Sequence, residues 1–358
     1  AEHGEFALRE AELWGGLAAL LRSFRYPMAD MDAAWKLLLL NQFHDILPGS
    51  SINRVYQEAE RDLARVKTTA DAVAAAARKR LAGGGKTALT VFNSLGAQRT
   101  ALVELPQGMT AVADGAGVSL PVQKLGARRV AEVTVPSCGW TTIRPAAGRA
   151  TTVASALQVS ARRLENEYLR IDLDARGEIT RVFDKETGRD FAAGRCNTLR
   201  LYKDIPTNFD AWDIDSAYEK QPVPVDGEAT VKVVSEGPLV AVLKVTRKFG
   251  ASLLEQEIRL RRGSRRVDFK TRVDWRERHR MLKVGFDVDI HADEALQEIQ
   301  YGHVRRPTHR TRPHDHERFE VCHHKWTAMV EETRGVAILN DCKYGVSVLG
   351  QTMNLTLL

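Results

Sequence analysis

Cysteine is scarce. Cys138, Cys196, Cys322 and Cys342 are the only four in 358 residues, and no two form a Cys-x-x-Cys pair. That spacing argues against a cysteine zinc knuckle and a dense disulfide framework, and it favours a reducing compartment, the cytoplasm. Long apolar runs are lacking too. No stretch approaches the ~18 consecutive apolar residues of a membrane helix, and no secretory leader is visible from Ala1 onward. Blocks of one charge are equally rare. The net charge of +6 arises from basic residues interleaved with acids, and the runs Arg128-Arg129, Arg259 to Arg266 and Arg305-Arg306 are short. A solvated strand face accounts for them as well as a phosphate track does, so neither nucleic acid nor membrane is an expected partner. No short internal repeat is evident.

What is present reads as a globular chain of two to three domains, with 44% hydrophobic and 27% charged residues. Phe6, Leu13, Leu17, Leu20, Leu21 and Phe24 form one apolar stripe and predict a helix over 3–24, which Pro27 ends. A second helix is expected over 31–47 with Asp30 as its N-cap, and a third from Ser50 or Ser51 to about Arg80. The third carries its apolar residues at Val55, Ala59, Leu63, Val66, Ala70, Val73 and Ala77. Short connections predict an antiparallel three-helix bundle (1–82), with the very apolar second helix at its centre. Gly83-Gly84-Gly85 closes the helical part.

From Thr87 the hydrophobic period changes to two. Candidate strands Ala88 to Phe92, Thr100 to Leu105 and Val130 to Val135 suggest a small β domain (87–150), and an Ala/Thr/Ser-rich link runs from Ala146 to Ser160. The remainder (158–358) reads as a large antiparallel β-sandwich. Leu169, Ile171 and Leu173 alternate with charged residues. So do Leu282, Val284, Phe286, Val288 and Ile290, interleaved with Lys283, Asp287 and Asp289. The closing residues Met353 to Leu358 read as a strand of a sheet expected to continue further, so the sandwich is expected to be truncated at its C-terminus.

The most informative stretch is Asn41-Gln42-Phe43-His44-Asp45-Ile46-Leu47-Pro48-Gly49-Ser50, at the end of the greasy run Trp35 to Leu40. On a helix, Asn41, His44 and Asp45 would share a face about 100° wide. Three polar groups closing a buried helix need partners. Two readings fit: capping and a hydrogen bond to a neighbouring loop, or His44 as a metal ligand with Asp45 as a substrate contact. Asn41 would orient the imidazole or simply finish the helix.

Asn41 to Ser51 resembles the segment that follows the catalytic barrel in α-mannosidases of glycoside hydrolase family 38. The resemblance continues through Val91-Phe92-Asn93-Ser94-Leu95, Glu165-Asn166-Glu167-Tyr168, Asp184-Lys185-Glu186-Thr187-Gly188, Asp210-Ala211-Trp212-Asp213-Ile214-Asp215 and Leu339-Asn340-Asp341-Cys342-Lys343-Tyr344-Gly345. It implies that His44 is one of four zinc ligands and that Asp45 contacts mannose. It gives the sandwich a galactose-mutarotase-like fold. It also implies that the nucleophile, the acid/base and the other ligands belong to an N-terminal α/β barrel of the same polypeptide, which these residues do not include. The expected parent is a retaining, zinc-dependent hydrolase of mannose-containing oligosaccharides, possible as a homo-oligomer, with this chain inactive alone. Rival readings are a non-catalytic carbohydrate-binding scaffold and a mutarotase-like epimerase.

Three further groups compete for roles. His303, His309, His314, His316, His323 and His324 crowd one segment marked by Pro307 and Pro313. They read as a solvated loop or, with His314-x-His316 extended, as a second metal site. Trp212 and Asp213, with Asp215 and Tyr218, offer carboxylates beside an aromatic ring, as sugar binding requires, or an acidic turn on a sandwich rim. Arg306 and His309 are candidates for a pocket rim or plain surface, and Asn93 and Glu165-Asn166 read as turn-forming structural residues.

Overall fold

The computed structural model describes residues 2–82, 87–148, 151 and 153–358. They form two compact units, Ala1–Thr152 and Val153–Leu358. Helices give way to antiparallel sheets along the chain, so the α-then-β architecture expected from periodicity is the one observed.

The first unit opens with α1 (Glu2–Arg22), α2 (Met28–Leu40) and α3 (Asn53–Ala82). Leu8 and Ala11 of α1, Met31, Ala34 and Leu38 of α2, and Val66, Ala70 and Val73 of α3 share one core. The second helix departs from expectation in three ways. It begins after Pro27, leaving Asp30 inside its first turn rather than at the cap. It stops at Leu40, because Asn41 caps it: the Asn41 amide donates to the Leu37 carbonyl at 2.9 Å, and residues 41–49 form turns. It is also not central. Leu39 and Leu40 are 58% and 63% exposed, so the all-round apolar surface reports an uncovered face rather than burial. Nor do Ser50 and Ser51 cap α3; their hydroxyls donate back to the Asp45 carbonyl, at 3.4 and 2.9 Å. The glycines 83–85 lie outside the described residues, as do 149, 150 and 152 of the expected link.

Two small sheets complete this unit. Leu89–Asn93 pairs with Gly139–Pro145 in one, and Arg99–Glu104 with Arg128–Val135 in the other. Trp14, Ala18, Ala77 and Leu81 of the bundle form a buried cluster, against which the half-buried Phe92 and Trp140 of the first sheet pack. Trp14 meets Phe92 edge-on, with ring centroids 5.0 Å apart. Asn93 turns the chain as expected: its amide donates to the Ala97 and Pro136 carbonyls, each at 2.8 Å.

The second unit is all-β apart from short helical turns. An eleven-stranded sheet and two four-stranded sheets close on one core. One small sheet is built from 229–236, 240–249, 252–261 and 267–274, the other from 294–299, 302–307, 326–330 and 335–339. Leu169, Ile171 and Leu173 point into the core as their alternation predicts. The strand Arg280–Val288 breaks that rule. It lies between Ala192–Lys203 and Thr352–Thr356 with both faces covered, and Lys283 is 1% exposed rather than on a charged, solvated face. Asn166, fully buried, donates to the carbonyls of Arg261 and Ser264 and accepts from the backbone N–H groups of Tyr168 and Leu169.

Candidate functional site

The candidate residues fall in both units. In the first, His44 and Asp45 sit on the turns after α2, not on the helix face expected for them. Both are accessible: the His44 side chain is 69% exposed, and its Nε2 lies 3.8 Å from Asp45 Oδ2. The Phe43 ring stacks obliquely on the imidazole at 4.2 Å between centroids. Asn41 does not orient His44; it is buried and bonded to Leu37 and, at 3.4 Å, to Asp62.

The turn is held by its backbone instead. The Asp45 carbonyl accepts from the hydroxyls of Ser50, Ser51 and Tyr56, at 3.4, 2.9 and 3.3 Å. Tyr56 Oη in turn accepts from the Ser51 backbone N–H at 3.0 Å. The first turn of α3 therefore anchors the segment that carries His44 and Asp45. Nothing in the sequence spacing singles out Tyr56.

No group of three or more His, Cys, Asp or Glu side chains that could hold a metal occurs among the described residues. A zinc site takes four donors, or three plus water. His44 and Asp45 supply two at most, so these residues do not by themselves fit a complete zinc site.

In the second unit, Trp212 and Asp213 stand exposed on a run of turns. The backbone N–H groups of both donate to the Phe209 carbonyl, at 2.6 and 2.9 Å, so residues 209–213 form a turn. Asp215 accepts from the Ala217 N–H at 2.7 Å, leading into the single turn Tyr218–Lys220. Arg306 is half-buried on the strand Gly302–Pro307, where its guanidinium donates to Gln297 and to the Cys322 carbonyl. Burial pushes it below the usual arginine range. Its fork is thus partly engaged in structure.

The histidine-rich segment is not one solvated loop. His303 lies on a strand, Pro313–His316 is a short helical turn, and His323 is fully buried. His323 Nδ1 lies 2.7 Å from the Thr327 hydroxyl, and burial holds its pKa down. His314 and His316 are therefore not paired across a strand. Instead His314 Nε2 lies 3.6 Å from Asp315, which Arg312 clamps with two guanidinium bonds.

Two arrangements escaped the sequence. Asp204 is held above the usual carboxylate range by burial and by the neighbouring charge of Asp210. Lys283 donates to Glu320, to Tyr218 Oη at 3.2 Å and to Ser347 Oγ at 3.1 Å, and Thr356 donates to Glu320 at 2.6 Å. Burial lowers the lysine and raises the tyrosine. The partners come from four separate segments, so no local motif betrays them. With the bidentate Arg310–Glu219 pair, this network ties the turns around Tyr218 to the 310–320 segment.

Comparison with known proteins places these features. Residues 164–358 match the glycosyl hydrolases family 38 C-terminal domain, and residues 1–81 match the alpha mannosidase middle domain. Alpha-mannosidase 2C1 of Homo sapiens is 35% identical over 99% of this chain and 34% of its own length. The Mus musculus protein of the same name is 34% identical over the same shares. The chain thus spans about a third (34%) of the length of these curated relatives. A crystal structure of a glycosyl hydrolase family 38 protein from Enterococcus faecalis superposes with a TM-score of 0.81 at 17% identity, covering 99% of this chain and 51% of that one. At that identity the likeness speaks for the fold. The family matches, which take in both the helical part and more than half of the whole chain, show that this chain belongs to the family 38 glycosyl hydrolases, the family of the α-mannosidases.

Proposed function

We propose that this chain is the middle and C-terminal part of a retaining, zinc-dependent α-mannosidase acting on mannose-containing oligosaccharides. The observation that carries the reading is the solvent-facing His44–Asp45 turn, pinned through the Asp45 carbonyl and flanked by exposed Phe43 and Leu47. An imidazole offered outward on an anchored turn suits a ligand completed by another domain. Exposed Leu39, Leu40, Phe43 and Leu47 suit a surface that such a domain covers.

In this reading an N-terminal barrel of the same polypeptide supplies the remaining zinc ligands, the nucleophile and the acid/base. When bound, zinc would supply Lewis-acid polarisation of sugar hydroxyls. The residues here bind and position: Asp45 accepts from a mannose hydroxyl, Trp212 and Asp213 give a ring face and a carboxylate to a sugar unit, and Arg306 lines the rim. The chain alone would not turn over substrate. Four cysteines without disulfides suit a cytoplasmic enzyme.

The test compares the longer polypeptide, with and without His44→Ala, for bound zinc by elemental analysis and for hydrolysis of an aryl α-mannoside. Loss of zinc at least about tenfold in affinity, together with loss of activity, is expected. Full zinc occupancy and undiminished hydrolysis in His44→Ala would overturn the assignment.

A further inference from the structure

Residues 204–217, which carry Trp212 and Asp213, contain no helix or strand. An exposed run of this kind holds a single shape only where structure outside it imposes one. Phe209 nevertheless has φ +54°, in the left-handed region, with its side chain 73% exposed. A bulky residue persists there only when its surroundings over-determine it. The Phe209 carbonyl is also the acceptor for the Trp212 and Asp213 N–H groups, so both residues are tied directly to the left-handed position.

The two ends of the run are fastened differently. At the start, the Lys203 and Asp204 N–H groups donate to the Gln221 and His279 carbonyls at 3.0 and 3.1 Å. At the far end the long-range ties are side chains. Tyr218 Oη donates to Glu320 at 3.1 Å, and the Glu219 carboxylate accepts from both Nη groups of Arg310, at 2.7 and 3.0 Å. Tyr218 is sealed in the interior, so its loss would disturb the fold at large. The Arg310 and Glu219 side chains are 22% and 30% exposed, which makes theirs the fastening that can be undone separately. Two parallel N–H···O bonds fix angle as well as distance. Arg310 follows Arg306 along one segment, and Glu219 follows Asp213 along the other, so the pair joins the two candidate pocket walls of this unit.

We propose that the Arg310–Glu219 pair is a positioning element, which holds the 209–217 turns in one conformation against the segment of Arg306 and so presents Trp212 and Asp213 already ordered. That those two residues then meet a sugar rests on the α-mannosidase reading; that the pair orders them does not. Order imposed before binding removes an entropic cost from association. Losing the pair therefore raises KM and leaves the chemical step alone.

Amide hydrogen exchange over residues 205–217 and hydrolysis of an aryl α-mannoside, both in the longer polypeptide, test this. Arg310→Gln and Glu219→Gln should each quicken exchange there about tenfold, and raise KM about tenfold at unchanged kcat. Arg310→Lys keeps the charge but loses the fork, and should fall between the parent and Arg310→Gln. The charge-swapped double variant, Glu219→Arg with Arg310→Glu, should recover both slow exchange and KM. Unchanged exchange over 205–217 in the single variants overturns the proposal, as does a charge-swapped variant left as loose as they are. Quickened exchange with an unmoved KM upholds the positioning and strikes the sugar contact instead. A parent that hydrolyses nothing counts against the α-mannosidase reading, while the exchange rates still decide the role of the pair.

Discussion

In the first unit Met28, Leu39, Leu40 and Phe43 stand more than half exposed along one helix and the turn after it, between 52% and 70%. In the second unit Lys283, Arg247, Gln256 and Asn166 are each at most 5% exposed. These four apolar side chains face water, and those four polar ones are sealed away. A sandwich of three sheets has enough interior to satisfy buried polar groups from several strands at once: Gln256 bonds Asn197 and Thr271, and Lys283 bonds Glu320, Tyr218 and Ser347. A three-helix bundle has a narrow core, and a helix apolar all round cannot hide every face in it. Hydropathy identifies both groups as unusual but does not say which is covered.

Breaking the buried network should give the largest effect. Lys283→Met leaves Glu320 sealed without its cation, and a loss of about 3–5 kcal/mol of stability is expected from urea unfolding. Adding Glu320→Gln should recover much of it, because a neutral amide does not need a cation. A neutral single variant would show that the network contributes no net stability.

A smaller effect comes from acid. Arg312 and the Arg312 backbone N–H hold Asp315 down to about 2, and Arg334 with the His291 N–H does the same for Glu331. Both carboxylates are depressed on folding, so their stabilisation is present above the unfolded carboxylate range near pH 4 and is lost as the pH falls toward 2. Asp315→Asn should therefore melt lower than the parent at pH 7, with the two curves converging near pH 2. Parallel curves throughout would mean that the ion pair contributes nothing.

The smallest change sharpens the contrast from the other side. Leu39→Gln and Leu40→Gln should move stability by no more than about 0.5 kcal/mol in the chain alone, because both residues are exposed. A loss above about 1 kcal/mol would show the face to be packed after all.

Periodicity made much of the architecture legible. The change from a three-four rhythm to a two-residue one marks the passage from α3 to the sheets, and the alternation at Leu169, Ile171 and Leu173 points into the core it predicted. What remained hidden depends on partners distant in sequence. Lys283 continues an alternating strand and would be solvated if that strand had one covered face; its burial is decided by residues 218, 320 and 347. Asn41, His44 and Asp45 have helical spacing, yet α2 stops before them because the Asn41 side chain takes the Leu37 carbonyl. Motif resemblance singles out His44 as a candidate, whereas the clamp beneath it involves a tyrosine eleven residues from the Asp45 carbonyl.

That clamp bears on the thermodynamics of whatever meets the turn. A free loop would surrender conformational entropy on engagement, at about 1–2 kcal/mol for each residue it fixes. Here the bonds from Ser50, Ser51 and Tyr56 have already curtailed that wandering before any partner arrives. Tyr56→Phe would thus weaken association at His44 while leaving every contacting atom in place, a deficit in preorganisation rather than in chemistry.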